Sequence, residues 1–422
     1  MLASRASVRS LARRSFATVV DNAGVKVAAV DTNQPTVSIT VLAKAGSRYQ
    51  QKPGVAHALK NFAFKGTEER SALGTIRESE LYGGVLSSTL SREHLALTAE
   101  FLRGDEQFFV NVLASVIAST KYTRHEFQEL VLPTIESEVN ALHKDPATHA
   151  LELAHALAFR SGLGSSLFAS SHPHITAADV EQFAATAFAP GNIAFLGTGI
   201  SQSALSSLVQ STIKFEGAGS SAPSSTPSTY FGGETRHEAH GVPQTLFIGF
   251  RCLWCPYSRA RLPSPPTSTR PPPSSGPAAR PLCSRLLGRL FQAVHLPYSD
   301  GTLVGLVIQG PTAAAVRETG KAAVAAFKAS SSVKADDLKS AIAKAKFRLA
   351  TTADGRAGIV DVLGSKVLAG VSETSLDASL SALDGVTADR FNKAVSAITK
   401  SKPTFVAIGD TQSLPYADEL GL

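Results

Sequence analysis

Acidic residues are absent from two stretches of this 422-residue chain, and their absence accounts for its basic balance. None occurs in the first twenty residues, MLASRASVRSLARRSFATVV, and none lies between Glu238 and Asp300. The formal charge of +7 is carried by the arginines of those stretches: Arg5, Arg9, Arg13 and Arg14 first, then Arg251, Arg259, Arg261, Arg270, Arg280, Arg285 and Arg289. Without them the rest of the chain is mildly acidic, which speaks against a nucleic-acid-binding face. Cysteine and tryptophan are scarce too, and Cys252, Cys255, Cys283 and Trp254 all sit in the second stretch. No apolar run reaches the 18 or so residues of a bilayer span, so membrane association is expected only through partners. What is present, 43% hydrophobic and 18% charged residues, suffices at this length for two ordinary cores.

The acid-free N-terminus is rich in Arg and Ser and spaces Leu2, Val8 and Leu11 among arginines as an amphipathic helix would. That pattern predicts a mitochondrial presequence over residues 1–16, cut near Phe16, and hence a matrix location. Beyond it, β-branched runs predict strands at 25–31 and 36–43, with a helix following from Pro53. Periodicity places further helices at 71–83, 104–119, 124–144, 175–188 and 333–350, and strands at 85–90, 93–101 and 192–198. The pattern is α+β. Residues 216–233, EGAGSSAPSSTPSTYFGG, are too rich in Gly, Ser and Pro to bury a core, and predict a linker between domains 17–215 and 234–422.

The two halves end alike. ITAADVEQFAATAFAPGNIAFLG (175–197) and VTADRFNKAVSAITKSKPTFVAIG (386–409) both read as a Thr-capped helix, a turn and a buried strand closing on Gly, with Thr176 and Thr387 as the caps. Ile193, Phe195 and Leu196 answer Phe405, Ala407 and Ile408, which predicts two tandem homologous domains rather than unrelated ones.

Chemistry is concentrated in residues 46–70, GSRYQQKPGVAHALKNFAFKGTEER. Gly46, Ser47, Arg48, Gly54, Ala56, Phe64, Lys65, Gly66, Thr67 and Arg70 form a frame that resembles the pitrilysin/insulinase-type metallopeptidases. In that family a helix carries H-x-x-E-H: two histidines on one helical face bind zinc and the Glu activates water. Here the five positions read His57, Ala58, Leu59, Lys60, Asn61. Lys60 puts an ammonium where the general base belongs, and Asn61 an amide where a zinc ligand belongs. The resemblance implies a third ligand some eighty residues on, at Glu138, at Glu136 or at neither. No catalytic, cofactor-binding or metal-ligating set is therefore expected, and His57 reads as a structural helix residue.

What the resemblance implies beyond zinc is a pair of domains, each a mixed, mainly antiparallel sheet packed against helices, able to hold an extended peptide and to pair with a similar subunit. It covers 25–215 as the first domain and 234–250 with 286–422 as the second, with HLPYSDGTLVGLVIQG (295–310) as a late landmark. The end of the chain, PTFVAIGDTQSLPYADEL (403–420), with Leu414, Pro415, Tyr416 and Ala417, is similar to the core subunits of the mitochondrial cytochrome bc1 complex. That implies a non-catalytic scaffold and assembly subunit of ubiquinol-cytochrome c reductase, peripheral on the matrix side of the inner membrane. Its partners would be core protein 1 and the other bc1 subunits of a dimeric complex, and the redox cofactors would belong to neighbours. The alternative is the non-catalytic α subunit of the mitochondrial processing peptidase, but GLGSSLFASS (162–171) and LYGGVLSS (81–88) are too poor in glycine to be its presequence-binding loop.

Residues 251–289 depart from this frame. The Cys252/Cys255 pair lacks a second ligand pair or a thioredoxin-like context, and Pro256 heads a Pro-rich tail, so the stretch reads as a disordered insertion. A frameshift or misplaced intron boundary in the coding sequence would also produce it, since QTLFIGF (244–250) and LFQAVHLPYSD (290–300) on its flanks both fit the resemblance. In that case a helix of the second domain is missing. His172 and His174, spaced across a proline, read as loop residues, helix 333–350 as ordinary amphipathic packing, and Asp300 as a residue stabilising its own turn through side-chain-to-backbone bonding.

Overall fold

The computed structural model describes residues 20–22, 24–31, 33–170, 173–213, 227–252, 291–329, 335–355, 358, 360, 364–369 and 376–422. The expected presequence, most of the expected linker, Cys255, most of 251–289 and His172 lie outside the described residues. The first half runs β1 (Val20–Asn22), β2 (Val25–Val30), β3 (Thr36–Ala43), α1 (Val55–Phe62), α2 (Ala72–Leu81), β4 (Val85–Leu90), β5 (Leu95–Leu102) and α3 (Glu106–Ala118). It continues with α4 (Leu132–Lys144), α5 (Pro146–Phe159), α6 (Ala177–Ala187), β6 (Ile193–Thr198) and α7 (Gln202–Thr212). The second half runs β7 (Gly233–Glu238), β8 (Gln244–Cys252), β9 (Phe291–Pro297), β10 (Thr302–Gly310), α8 (Ala313–Ala329), α9 (Ala335–Asp354), α10 (Ser365–Ala369), α11 (Leu376–Asp384), α12 (Ala388–Thr399) and β11 (Thr404–Gly409).

The strands form a six-stranded sheet, β1-β2-β6-β3-β5-β4, and a five-stranded one, β7-β11-β8-β10-β9. With β1 set aside, the strands of each half lie in the spatial order first, fifth, second, fourth, third. In both, first and fifth are parallel and every other pairing is antiparallel. This is the tandem α+β duplication that the matching ends of the two halves predict. Thr176 accepts a hydrogen bond from the Asp179 amide in a full capping box, and Thr387 accepts one from Arg390; Phe195 and Ala407 are both fully buried in the last strand of their sheets. Between β3 and β4 lie α1 and α2, whereas the matching interval between β8 and β9, residues 253–290, falls outside the described residues.

Each half also covers part of the other. Along α5, Ala150, Ala154 and Ala158 recur every four residues and so share a face. They pack on Phe247, Val294, Leu303, Val307, Val406 and Ile408 of the second sheet, small side chains allowing helix and sheet to close to core density. In return Val367 and Leu368 of α10 pack on Ala28, Leu42, Ala194 and Leu196 of the first sheet, and the Lys26 ammonium donates to the Leu368 carbonyl at 2.8 Å. Leu42 of β3 is covered in this way, and β3 is buried along nearly its whole length instead of alternating as β5 does. No element is expected over 146–159 from sequence, and in PATHALELAHALAF the polar residues His149, Glu152 and His155 turn out to be buried instead of marking a solvent face.

The helix expected over 124–144 is interrupted. A helical turn at Arg124–Glu126 passes into a π-helical segment, Phe127–Val131, before α4 begins. Pro133 has no N–H to continue the i to i−4 ladder and crowds the carbonyl four residues back, and widening the preceding turn accommodates both. Among the described residues no helix is long and apolar enough to cross a membrane.

Candidate functional site

Helix α1 starts from Gly54, whose φ of 90° is left-handed and whose Cβ position would lie 2.6 Å from the Cβ of Ala169. Only glycine fits there. The amides of Gly54 and Ala56 donate to Gln50 Oε1 at 3.2 and 3.4 Å, closing the first turn. One turn on, His57 is 2% exposed and lies edge-on to Phe168 with ring centroids 5.5 Å apart. Its Nδ1 accepts the Ala169 amide at 3.1 Å. The proton of a neutral ring must then sit on Nε2, which faces Glu138 Oε2 of α4.

Glu138 is the meeting point of the site. Its Oε2 accepts from His57 Nε2 and, at 3.2 Å, from Asn61 Nδ2, while Oε1 pairs with the Lys60 ammonium. Burial works to raise its carboxyl, but the bonds from His57, Lys60 and Asn61, with the Lys60 charge, prevail and hold it at about 2. Of the two carboxylates open at the sequence level, α4 turns Glu138 to α1 and leaves Glu136 exposed. His174 is exposed on its loop. Among the described residues, no group of three or more His, Cys, Asp or Glu side chains could hold a metal ion.

A second polar cluster ties the halves together. Arg48 donates to Glu93 at 3.1 Å, to both oxygens of Asp300 at 2.9 and 2.6 Å, and to Ser299 Oγ at 3.0 Å. Asp300 therefore does not brace its own turn, as expected from sequence; it crosses to Arg48 and accepts the Ser228 amide at 2.8 Å. A bidentate guanidinium–carboxylate pair outcompetes a local turn bond. Nearby, Arg92 donates to Glu152 at 2.5 Å and to the Ser165 carbonyl at 2.6 Å. His155 is held well below its usual range, by burial first and by the Arg92 charge second, so it is neutral. Its Nδ1 donates to the Leu151 carbonyl at 2.6 Å, leaving Nε2 to accept the Tyr298 hydroxyl at 2.7 Å. In the sequence Arg48 stands out only as part of the 46–70 frame. Arg92, Glu93, Glu152, His155 and Tyr298 carry no local signal, since their partners lie dozens to hundreds of positions away.

Comparison with known proteins finds relatives along nearly the whole chain. A protein named cytochrome b-c1 complex subunit 2, mitochondrial, from Cryptococcus neoformans var. grubii is 43% identical over 432 residues, covering 99% of this chain and 97% of the relative. The chain belongs to the cytochrome b-c1 complex subunit 2 family. Members so named from Neurospora crassa and Yarrowia lipolytica are 38% and 33% identical, covering 95% and 97% of this chain. Residues 26–171 match the family described as Insulinase (Peptidase family M16), so part of the first half of this chain is similar to that family, and the frame around Lys60 and Asn61 lies inside that match. These relatives do not favour the processing-peptidase α-subunit reading.

Proposed function

We propose that this chain is a non-catalytic core subunit of the mitochondrial ubiquinol-cytochrome c reductase, working through its surfaces as a scaffold for assembly. The observation that carries the reading is the likeness, over 99% of the chain, to a protein named as a subunit of that complex. In this reading it pairs with core protein 1 within a dimeric complex, lies peripherally on the matrix side of the inner membrane, and meets the membrane only through partner subunits. Residues 1–16 are the import presequence, and 216–233 links domains 17–215 and 234–422.

The geometry at α1 supports the absence of peptidase chemistry, because the residues there do not fit a zinc ion. The position of the general base holds a cation, which repels a dication and takes no proton from water. His57 has one nitrogen turned to a backbone amide and the other to Glu138, and the amide of Asn61 is a weak donor atom for zinc.

The test is affinity purification of the mature chain from its own mitochondria in mild detergent, with mass spectrometry of partners and zinc analysis. Recovery of cytochrome b, cytochrome c1 and the Rieske protein, without stoichiometric zinc in this subunit, is the expected result. A soluble pair with a zinc-bearing processing subunit would overturn it.

A further inference from the structure

We propose that Lys60 is the resident cation of this site, replacing a metal ion charge for charge and pinning α1 to α4 through Glu138. The inference rests on the zinc-free reading above and adds to it what took the place of the ion. An H-x-x-E-H helix with a distal Glu brings together a dication and two carboxylates, a neutral set. Exchanging the base for lysine changes the charge by two units, the charge of the ion itself. One ammonium and one carboxylate remain, and the set is neutral again. A protein interior demands that balance, because an uncompensated charge there is costly.

Geometry makes the replacement specific rather than merely additive. Three side chains from one helix face, at positions 57, 60 and 61, converge on a single carboxylate from α4. The Lys60 side chain is 20% exposed and that of Glu138 30%, so the pair is screened only in part and its attraction exceeds that of a surface pair. Lys60 is also held from the sheet side, where Ser88 Oγ donates to its carbonyl at 3.1 Å. Its backbone is thus tied to the edge strand and its Nζ to α4. Because Asn61 Nδ2 and His57 Nε2 address the same oxygen, a histidine at 61 would put a second imidazole beside the first, and a glutamate at 60 would free Glu138 to ligate.

The experiment uses the full mature chain and compares wild type with Lys60→Arg, Lys60→Met and the double variant Lys60→Glu/Asn61→His. Melting is followed with added zinc sulfate and with EDTA, and zinc binding by calorimetric titration. Wild type and Lys60→Arg should melt alike and ignore both additions. Lys60→Met, which keeps the length of the side chain and loses its charge, should melt several degrees lower in EDTA. The double variant should bind one zinc ion, with a melting temperature that zinc raises and EDTA lowers. Stoichiometric zinc on wild type would overturn the zinc-free reading and this inference with it. Wild type free of zinc, but with Lys60→Met melting at the wild-type temperature, would overturn this inference alone. So would a double variant that has wild-type circular dichroism yet takes no zinc. If the double variant does not fold, Lys60→Met against Lys60→Arg still decides.

Discussion

At Glu138 two physical effects oppose each other, and their balance can be read in acid. Burial favours the neutral carboxyl; the donors His57, Lys60 and Asn61 favour the ion and win, holding the group at about 2 against an ordinary 4.5. A carboxylate with a depressed folded-state value contributes stability that is complete above the ordinary value and lost as pH falls through the depressed one. Glu138→Gln should remove that part of the acid limb, and at neutral pH should cost about 1–3 kcal/mol by leaving Lys60 without its anion, measured as a shift in the urea midpoint. His149 makes a separate contribution at milder acidity. Its ring packs against His143 and His237 at 5.1 and 4.8 Å, and burial first, then the charges of His237 and His143, hold it at about 4 against 6.5. A base that is harder to protonate when folded loses stability as pH falls from 6.5 through about 4. His149→Phe should flatten the stability profile in that window while leaving the Glu138 limb in place, which a pH series of thermal melts would resolve.

Among the elements, α5 decides most and announces itself least. It is the helix the first half lends to the second sheet, and its seating depends on three alanines with no exposed surface. Ala154→Leu would drive methyl groups into Phe247 and its neighbours, and is expected to cost about 1–3 kcal/mol through overpacking, read from chemical denaturation. Strands and helices with one buried face are legible from period alone, and so β4 lies at 85–90 and α6 at 177–187, inside the expected 175–188. Helix α5 is not legible in that way, because its polar residues His149, Glu152 and His155 are themselves buried while Ala156 is exposed, so polarity does not mark its solvent face. The π segment at 127–131 is a third case: Pro133 is visible in the sequence as a disturbance, but whether it would end, kink or widen the helix depends on what packs against it.

For the molecule as a whole, the two sheets are joined by exchanged helices and by the Arg48–Glu93–Asp300 cluster. Burial works against the Arg48 charge, but Asp300 and Glu93 raise its pKa above the ordinary value; burial likewise works against the ionised Asp300, and Arg48 with the Ser228 amide lowers it. Removing the cation leaves two carboxylates facing each other across the junction. Arg48→Met should therefore cost about 3–5 kcal/mol and split a single calorimetric transition into two, one for each half.

The chain's order of residues by itself determined the duplication, the α+β class and the presence of Lys60 and Asn61 where the H-x-x-E-H pattern has Glu and His. Each of these follows from local patterns: capped helices leading into buried strands, alternation, and Lys60 with Asn61 at fixed helical spacing from His57. Only the tertiary structure decided that Glu138 and not Glu136 faces α1, that Asp300 reaches Arg48 instead of its own turn, and that each half roofs the other. Those outcomes depend on which side chains from distant segments share one buried volume, where unpaired charge is costly and space is filled to crystal density.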